Sequence, residues 1–238
     1  MFPSTPDGAP RTTRAGGLAA LYVALAYLAA MPFFLLVVDY QKATTTAEKV
    51  TSILRNHQSM YVMYLVAYVL LGVVLAVLVL SLFDHLRRGS ELGARLTTAL
   101  GLTWSIALIL SGMVFNYGMG TVVSLAESSP EQAAMAWQSI EPVALALGGA
   151  GGETLGGLWM LVLSWTAFRA RALPSALGWF GAVTGLVGLI STVPALHDAA
   201  YGFGLLQIVW FAWLGIVLLR RGAITHRVVD PQPVLGAV

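Results

Sequence analysis

At 238 residues, 58% hydrophobic and only 10% charged, the chain is too apolar for an ordinary soluble domain. It has no cysteine, which excludes disulfides, thiolate metal sites, thioether-linked haem and thiol nucleophiles. The formal net charge of +2 decides little by itself; where the charges fall along the chain decides more.

Crossing the hydrocarbon core takes about 20 apolar residues in a helix. Six segments qualify: 16–38, 60–83, 97–123, 143–168, 173–196 and 202–219. They predict an all-α, polytopic membrane protein whose six transmembrane helices form three in-out-in hairpins. Residues 1–15 and 222–238 are read as cytoplasmic tails around a transmembrane domain of residues 16–221.

The first segment follows Arg11 and Arg14, as a signal peptide's core would. Its apolar run is longer than such a core, and no small-x-small site follows Met31-Pro32. It is therefore expected to be a retained helix, kinked by Pro32 and ended by Asp39. In the next loop, Thr45-Thr46-Ala47-Glu48 has the spacing of a capping box and starts a short helix that runs past His57 into the second segment. Tyr61, Tyr64 and Tyr68 share one face near that segment's outer end, the usual place of the aromatic belt.

The third segment carries Asn116 and Tyr117 in its outer half. A mid-span amide needs a partner, commonly a hydrogen bond to another helix. Ser129-Pro130-Glu131-Gln132 then reads as a helix start, with Ser at the cap and Pro at the first position. This helix is expected at the outer membrane surface, with Trp137 on it. His197 and Asp198 end the fifth segment on the outer side, and Gln207 lies in the outer half of the sixth. The tail beyond Arg221, with Pro231 and Pro233, is expected to be disordered.

Lys and Arg content alternates from loop to loop. Arg11, Arg14, Arg87, Arg88, Arg95, Arg169, Arg171, Arg220, Arg221 and Arg227 fall on one side. Only Lys42, Lys49 and Arg55 fall on the other, together with Glu127, Glu131, Glu141 and Asp198. Short basic loops stay inside, so both termini are expected in the cytoplasm. The scattered cations suit anionic lipid headgroups better than nucleic acid.

Glu153 is the leading candidate for chemistry. It interrupts the run Gly148-Gly149-Ala150-Gly151-Gly152-Glu153-Thr154-Leu155-Gly156-Gly157 in the fourth segment. A carboxylate at membrane depth costs about 2.5–3.5 kcal/mol by insertion scales and normally faces a bundle interior or a wet cavity. On a continuous helix, Gly149 and Gly157 share the face of Glu153, while Gly148, Gly152 and Gly156 form the adjacent small-residue stripe. Such stripes let a second helix approach closely, from this chain, from a membrane-protein partner or from a second copy.

Asn116, Tyr117, His197, Asp198 and Gln207 all fall in outer halves, whereas the inner halves hold little beyond Ser, Thr and Trp. An outward-facing polar pocket around Glu153, plugged below by apolar residues, gives this distribution. Three readings stand: a pocket that binds or transports a small ligand, proton or cation; a non-catalytic scaffold packing through glycine; and a metal-dependent intramembrane hydrolase using Glu153, His197 and Asp198. No HExxH spacing, Walker motif or dinucleotide motif is present, so no cofactor and no resident metal are expected.

Ser111-Gly112-Met113, the stretch from Gly148 to Trp159, Leu173-Pro174 with Ala176-Leu177-Gly178-Trp179, and Trp210-Phe211-Ala212-Trp213-Leu214-Gly215 before Arg220-Arg221 carry a resemblance. The chain resembles an uncharacterised bacterial six-helix integral membrane family, a domain-of-unknown-function family of the four-three-eight-six type. The resemblance implies the fold and a bacterial cytoplasmic membrane, and it implies no activity and no catalytic residue.

Overall fold

Apolar runs with no strand-like alternation fold into helices throughout. The computed structural model describes residues 8–38, 40–149 and 153–229, and all regular structure among them is helical. Helix α1 (Gly8–Pro32) stops where Pro32 has no N–H for the preceding turn. The chain then widens into one π turn, Phe33–Val37, closed by the Val38 N–H donating to the Phe33 carbonyl at 3.0 Å.

Helix α2 (Thr46–Tyr64) begins with the expected capping box: Thr45 Oγ1 accepts from the Glu48 N–H at 3.2 Å, and the Glu48 carboxylate accepts from the Thr45 N–H. A second π turn, Leu65–Leu70, joins it to α3 (Leu71–Leu86) without a break in the helical run. Helix α4 (Glu91–Ala126) is capped by Ser90, and α5 (Pro130–Gly148) by Ser129 with Pro at its start. Helices α6 (Thr154–Ala170), α7 (Ser175–Ile190) and α8 (Ala199–Val229) follow.

Two expectations change. The predicted fourth segment, 143–168, is two helices, because α5 ends on Gly149 at φ +89°, a left-handed conformation that favours glycine and stops a helix. Gly148 and Gly149 therefore do not share a helix with Gly156 and Gly157; Gly152 lies outside the described residues, as does Asp39. Helix α8 also continues past Arg221 to Val229, where the polarity of the tail predicts disorder; Pro231 and Pro233 lie outside the described residues.

Helices α1, α3, α4, α6, α7 and α8 close into a ring, each touching the next and α8 returning to α1. Trp104, Trp159, Trp210, Phe203 and Phe211 fill its centre, with Trp159 stacked on Phe211 at 6.1 Å and edge-on to Trp210 at 6.0 Å. Helix α2, the end of α4 and α5 enclose a second core around Trp137, Phe115 and Met119. At about 1.5 Å per residue, the 36 residues of α4 span about 54 Å against an apolar thickness of about 30 Å, which leaves room for that second layer.

Among the described residues, four helical stretches are long and apolar enough to cross a membrane: Thr12–Val37, Thr46–Leu86, Glu91–Ala126 and Ala199–Arg221. Helices α6 and α7 are shorter, at 17 and 16 residues or about 25 Å. The connections rich in basic residues meet at one end of the ring. There Thr13 meets His85 at 3.2 Å, Gly89 abuts Ala170, and Arg221 donates to the Ala172 carbonyl.

The α6–α7 contact depends on glycine. A Cβ on Gly157 would lie 2.8 Å from both the Gly185 carbonyl oxygen and the Leu189 nitrogen, and backbone cannot move aside as a side chain can. Gly157→Ala is expected to lower the thermal midpoint of the detergent-purified protein, by an overpacking cost of about 1–3 kcal/mol. Gly120→Ala, where a Cβ meets nothing within 4 Å, is the control and should leave the midpoint unchanged or raise it. Equal midpoints for the two variants would show that the close approach is not required.

Candidate functional site

The two cores do not merge. Between them, at the end of the ring away from the basic connections, lies a cavity of about 440 Å³. One wall is polar and built by three segments. Lys49 on α2 donates to both Glu141 oxygens on α5, at 2.8 Å each. Tyr40, in the connection between α1 and α2, donates to Glu141 Oε1 at 2.8 Å and accepts from the Trp137 indole at 2.6 Å. Burial, and then the Glu141 charge, push the Tyr40 phenol above its ordinary range, so it remains a neutral donor. The Lys49 ammonium also sits 5.6 Å from the Tyr40 ring centroid.

The opposite wall carries Glu153, with His197, Asp198 and Tyr201 at the exposed rim. Glu153 holds the N-cap position of α6 without a side-chain bond to the helix; its N–H donates to Ser191 Oγ at 3.1 Å, and Ser191 in turn donates to the Gly188 carbonyl. Its carboxylate lies against Gly149, where a Cβ would sit 2.5 Å from Oε2, so the left-handed glycine also makes space for the acid. Among the described residues no side chain bonds the Glu153 carboxylate. One turn along α6, Gly156 meets Trp104 and Phe203, so the aromatic core closes the floor.

Aromatic side chains make the remaining wall. Tyr64 stacks on Phe115 at 4.3 Å, Tyr68 meets Tyr64 at 5.4 Å, and Phe34 meets Tyr64 at 5.1 Å. Phe34 and Tyr68 come from the two π turns. A π turn adds a residue to the helix circumference and turns side chains after it out of the ordinary register.

The sequence candidates separate. Glu153, His197 and Asp198 share the cavity. Asn116 does not: it is buried against α2, donating to the Tyr61 carbonyl at 3.3 Å, and Tyr117 is 78% exposed beside it. Gln207 is buried within the ring rather than on the cavity wall, near the Tyr27 phenol, and its Oε1 has no partner among the described residues. Of the described glycines, Gly156 and Gly157 are buried in helix contacts, and Gly148 lies against Ser111 and Tyr68. Among the described residues no three metal-ligating side chains converge.

Sequence reasoning placed Lys49 and Glu141 among loop charges and Trp137 at a membrane surface. The structure buries Trp137 fully and leaves Glu141 9% exposed. The signal was present in spacing: Ala133, Trp137, Glu141 and Ala144 recur at helical intervals on one face of α5.

The model of a family described as Domain of unknown function (DUF4386) matches residues 15–222, which takes in the ring, the second core and the cavity. The chain belongs to the DUF4386 family. No curated protein matches it. No solved structure matches it either.

Removing one member of the Glu141 network leaves a mostly buried charge without its partner. Lys49→Met and Glu141→Gln are each expected to cost about 2–3 kcal/mol, below the range for fully buried pairs because the Lys49 side chain is 28% exposed. The double variant should recover most of that loss, a positive coupling in a double-mutant cycle. Strictly additive losses in thermal or denaturant unfolding would show that the ion pair does not hold the seam.

Proposed function

We propose that this protein is a six-span integral membrane protein of a bacterial cytoplasmic membrane, with both termini inside, and that it binds a small cationic ligand or a cation in an outward-facing pocket around Glu153. The alternation of basic loops supports the orientation. Contacts among the basic connections at one end of the ring, with the cavity at the other, agree with it. The short α6 and α7 lower the ring wall beside Glu153 and bring a carboxylate within reach of the outside without exposing it on the bundle surface.

The observation that carries the reading is a carboxylate without a side-chain partner among the described residues, on the wall of a cavity large enough for a small molecule. The cavity also has the charge for a cation. Glu141, Glu153 and Asp198 face one ammonium, Lys49, which is already committed to Glu141. Packing of Gly148, Gly156 and Gly157 against neighbours within this chain favours this reading over a scaffold docked through them. The absence of a convergent ligand set among the described residues favours it over a metal-dependent hydrolase.

Anything that binds the folded state alone raises its unfolding midpoint, by about 2.7 kcal/mol at a hundredfold excess over Kd. Sodium, potassium and tetramethylammonium titrated into the detergent-purified protein are expected to give a saturable rise from at least one of them. Glu153→Gln should abolish that rise, while Tyr117→Ala, outside the cavity, should keep it. A rise that survives in Glu153→Gln, or none in wild type, contradicts the reading.

A further inference from the structure

A second, apolar hollow of about 180 Å³ adjoins the cavity and shares Met31, Phe34, Tyr68 and Tyr201 with it. It runs between α1, the second π turn and α8, lined further by Tyr27, Leu35, Ala67, Gly204 and Ile208. Leu36 and Leu205, next in sequence to its wall, are 77% and 56% exposed, so this side of the ring presents apolar surface outward. The polar cavity opens past His197 and Asp198, and the apolar hollow lies against its wall and faces, between helices, the surface that lipid would cover.

Both π turns border this junction. Gly204 faces the open space of the hollow, where a Cβ would meet only the flexible end of Met31, at 3.4 Å. Glu153 at one end, aromatic faces in between and an apolar slot at the other suit a molecule with a positive head and a chain. A quaternary or primary ammonium satisfies the carboxylate and the Tyr64, Tyr68 and Phe34 rings together. A chain of methylenes fills the slot and continues into the bilayer.

We infer that the ligand of this pocket is a single-chain cationic amphiphile taken from the membrane, its ammonium against Glu153 and its chain in the slot between α1 and α8. This rests on the pocket reading above and narrows it to a ligand class.

The test uses the full chain in dodecyl maltoside micelles, with tetramethylammonium, hexyltrimethylammonium, octyltrimethylammonium and octyl sulfate as probes. Free probe is measured by equilibrium dialysis, and the midpoint shift gives Kd. Affinity is expected to rise with chain length, by about fourfold for each methylene that the slot buries. Octyl sulfate should give no saturable shift, and Glu153→Gln should lose the response to all three ammonium probes.

Gly204→Leu fills the slot, so it should keep the affinity for tetramethylammonium and lose the gain from the chain; Ile208→Trp tests the same point from the adjacent turn. Equal affinity for all three ammonium probes overturns the amphiphile inference and leaves the pocket reading standing. A chain-length gain that survives both slot variants also overturns it. No Glu153-dependent shift with any probe defeats the pocket reading itself.

Discussion

A carboxylate shared between an ammonium and a phenol, at the seam of two hydrophobic cores, is the constraint on which the rest of this structure depends. Glu141 receives Lys49 from α2 and Tyr40 from the connection before it, and Trp137 fixes Tyr40 from the same helix that carries the acid. These bonds tie the start of α2 to α5 across the mouth of the ring. Apolar packing alone would favour closing the gap between the cores, since burial gains about 25 cal/mol per Å². A mostly buried ion pair resists that closure because it must keep its geometry and its remaining access to water. The cavity is what the seam leaves open.

The second constraint is the break after α5. A helix that continued through residues 149–153 would carry Glu153 on its flank, and a stripe of glycines with it. With Gly149 in the left-handed region, the acid instead stands at the cap of α6 and its N–H is taken by Ser191. The following glycines then do a different task. Gly156 admits Trp104 and Phe203 beneath the acid, and Gly157 admits the backbone of α7. One run of small residues thus ends a helix, makes room for a carboxylate and closes the floor below it.

Much of this was legible in the sequence. Four of the six apolar segments correspond to single helical runs, the fifth is α7 followed by a turn after Ile190, the capping box at Thr45 and the Ser129 cap form as their spacing predicts, and Glu153, His197 and Asp198 meet in one cavity. The fourth segment misled because hydropathy does not report φ, and a glycine run is as apolar through a turn as through a helix. Lys49 and Glu141 were hidden because charge counts assign residues to sides, not to partners 92 positions apart. Tyr64 and Tyr68 read as an aromatic belt because their 4-residue spacing describes one α-helical face, whereas a π turn lies between Tyr64 and Leu71 and brings both rings onto Phe115.

The central claim is that Glu153 stands in a cavity open to the outside while the aromatic core below it is closed. A chain with no cysteine makes this directly measurable. Single variants Asp198→Cys, Glu153→Cys and Ser164→Cys, expressed in intact cells, would be treated from outside with a membrane-impermeant thiol reagent. The account predicts labelling at Asp198→Cys and Glu153→Cys and none at Ser164→Cys, which is buried beyond the aromatic floor. Labelling of Asp198→Cys without Glu153→Cys, or of Glu153→Cys only after the cells are opened, would contradict it.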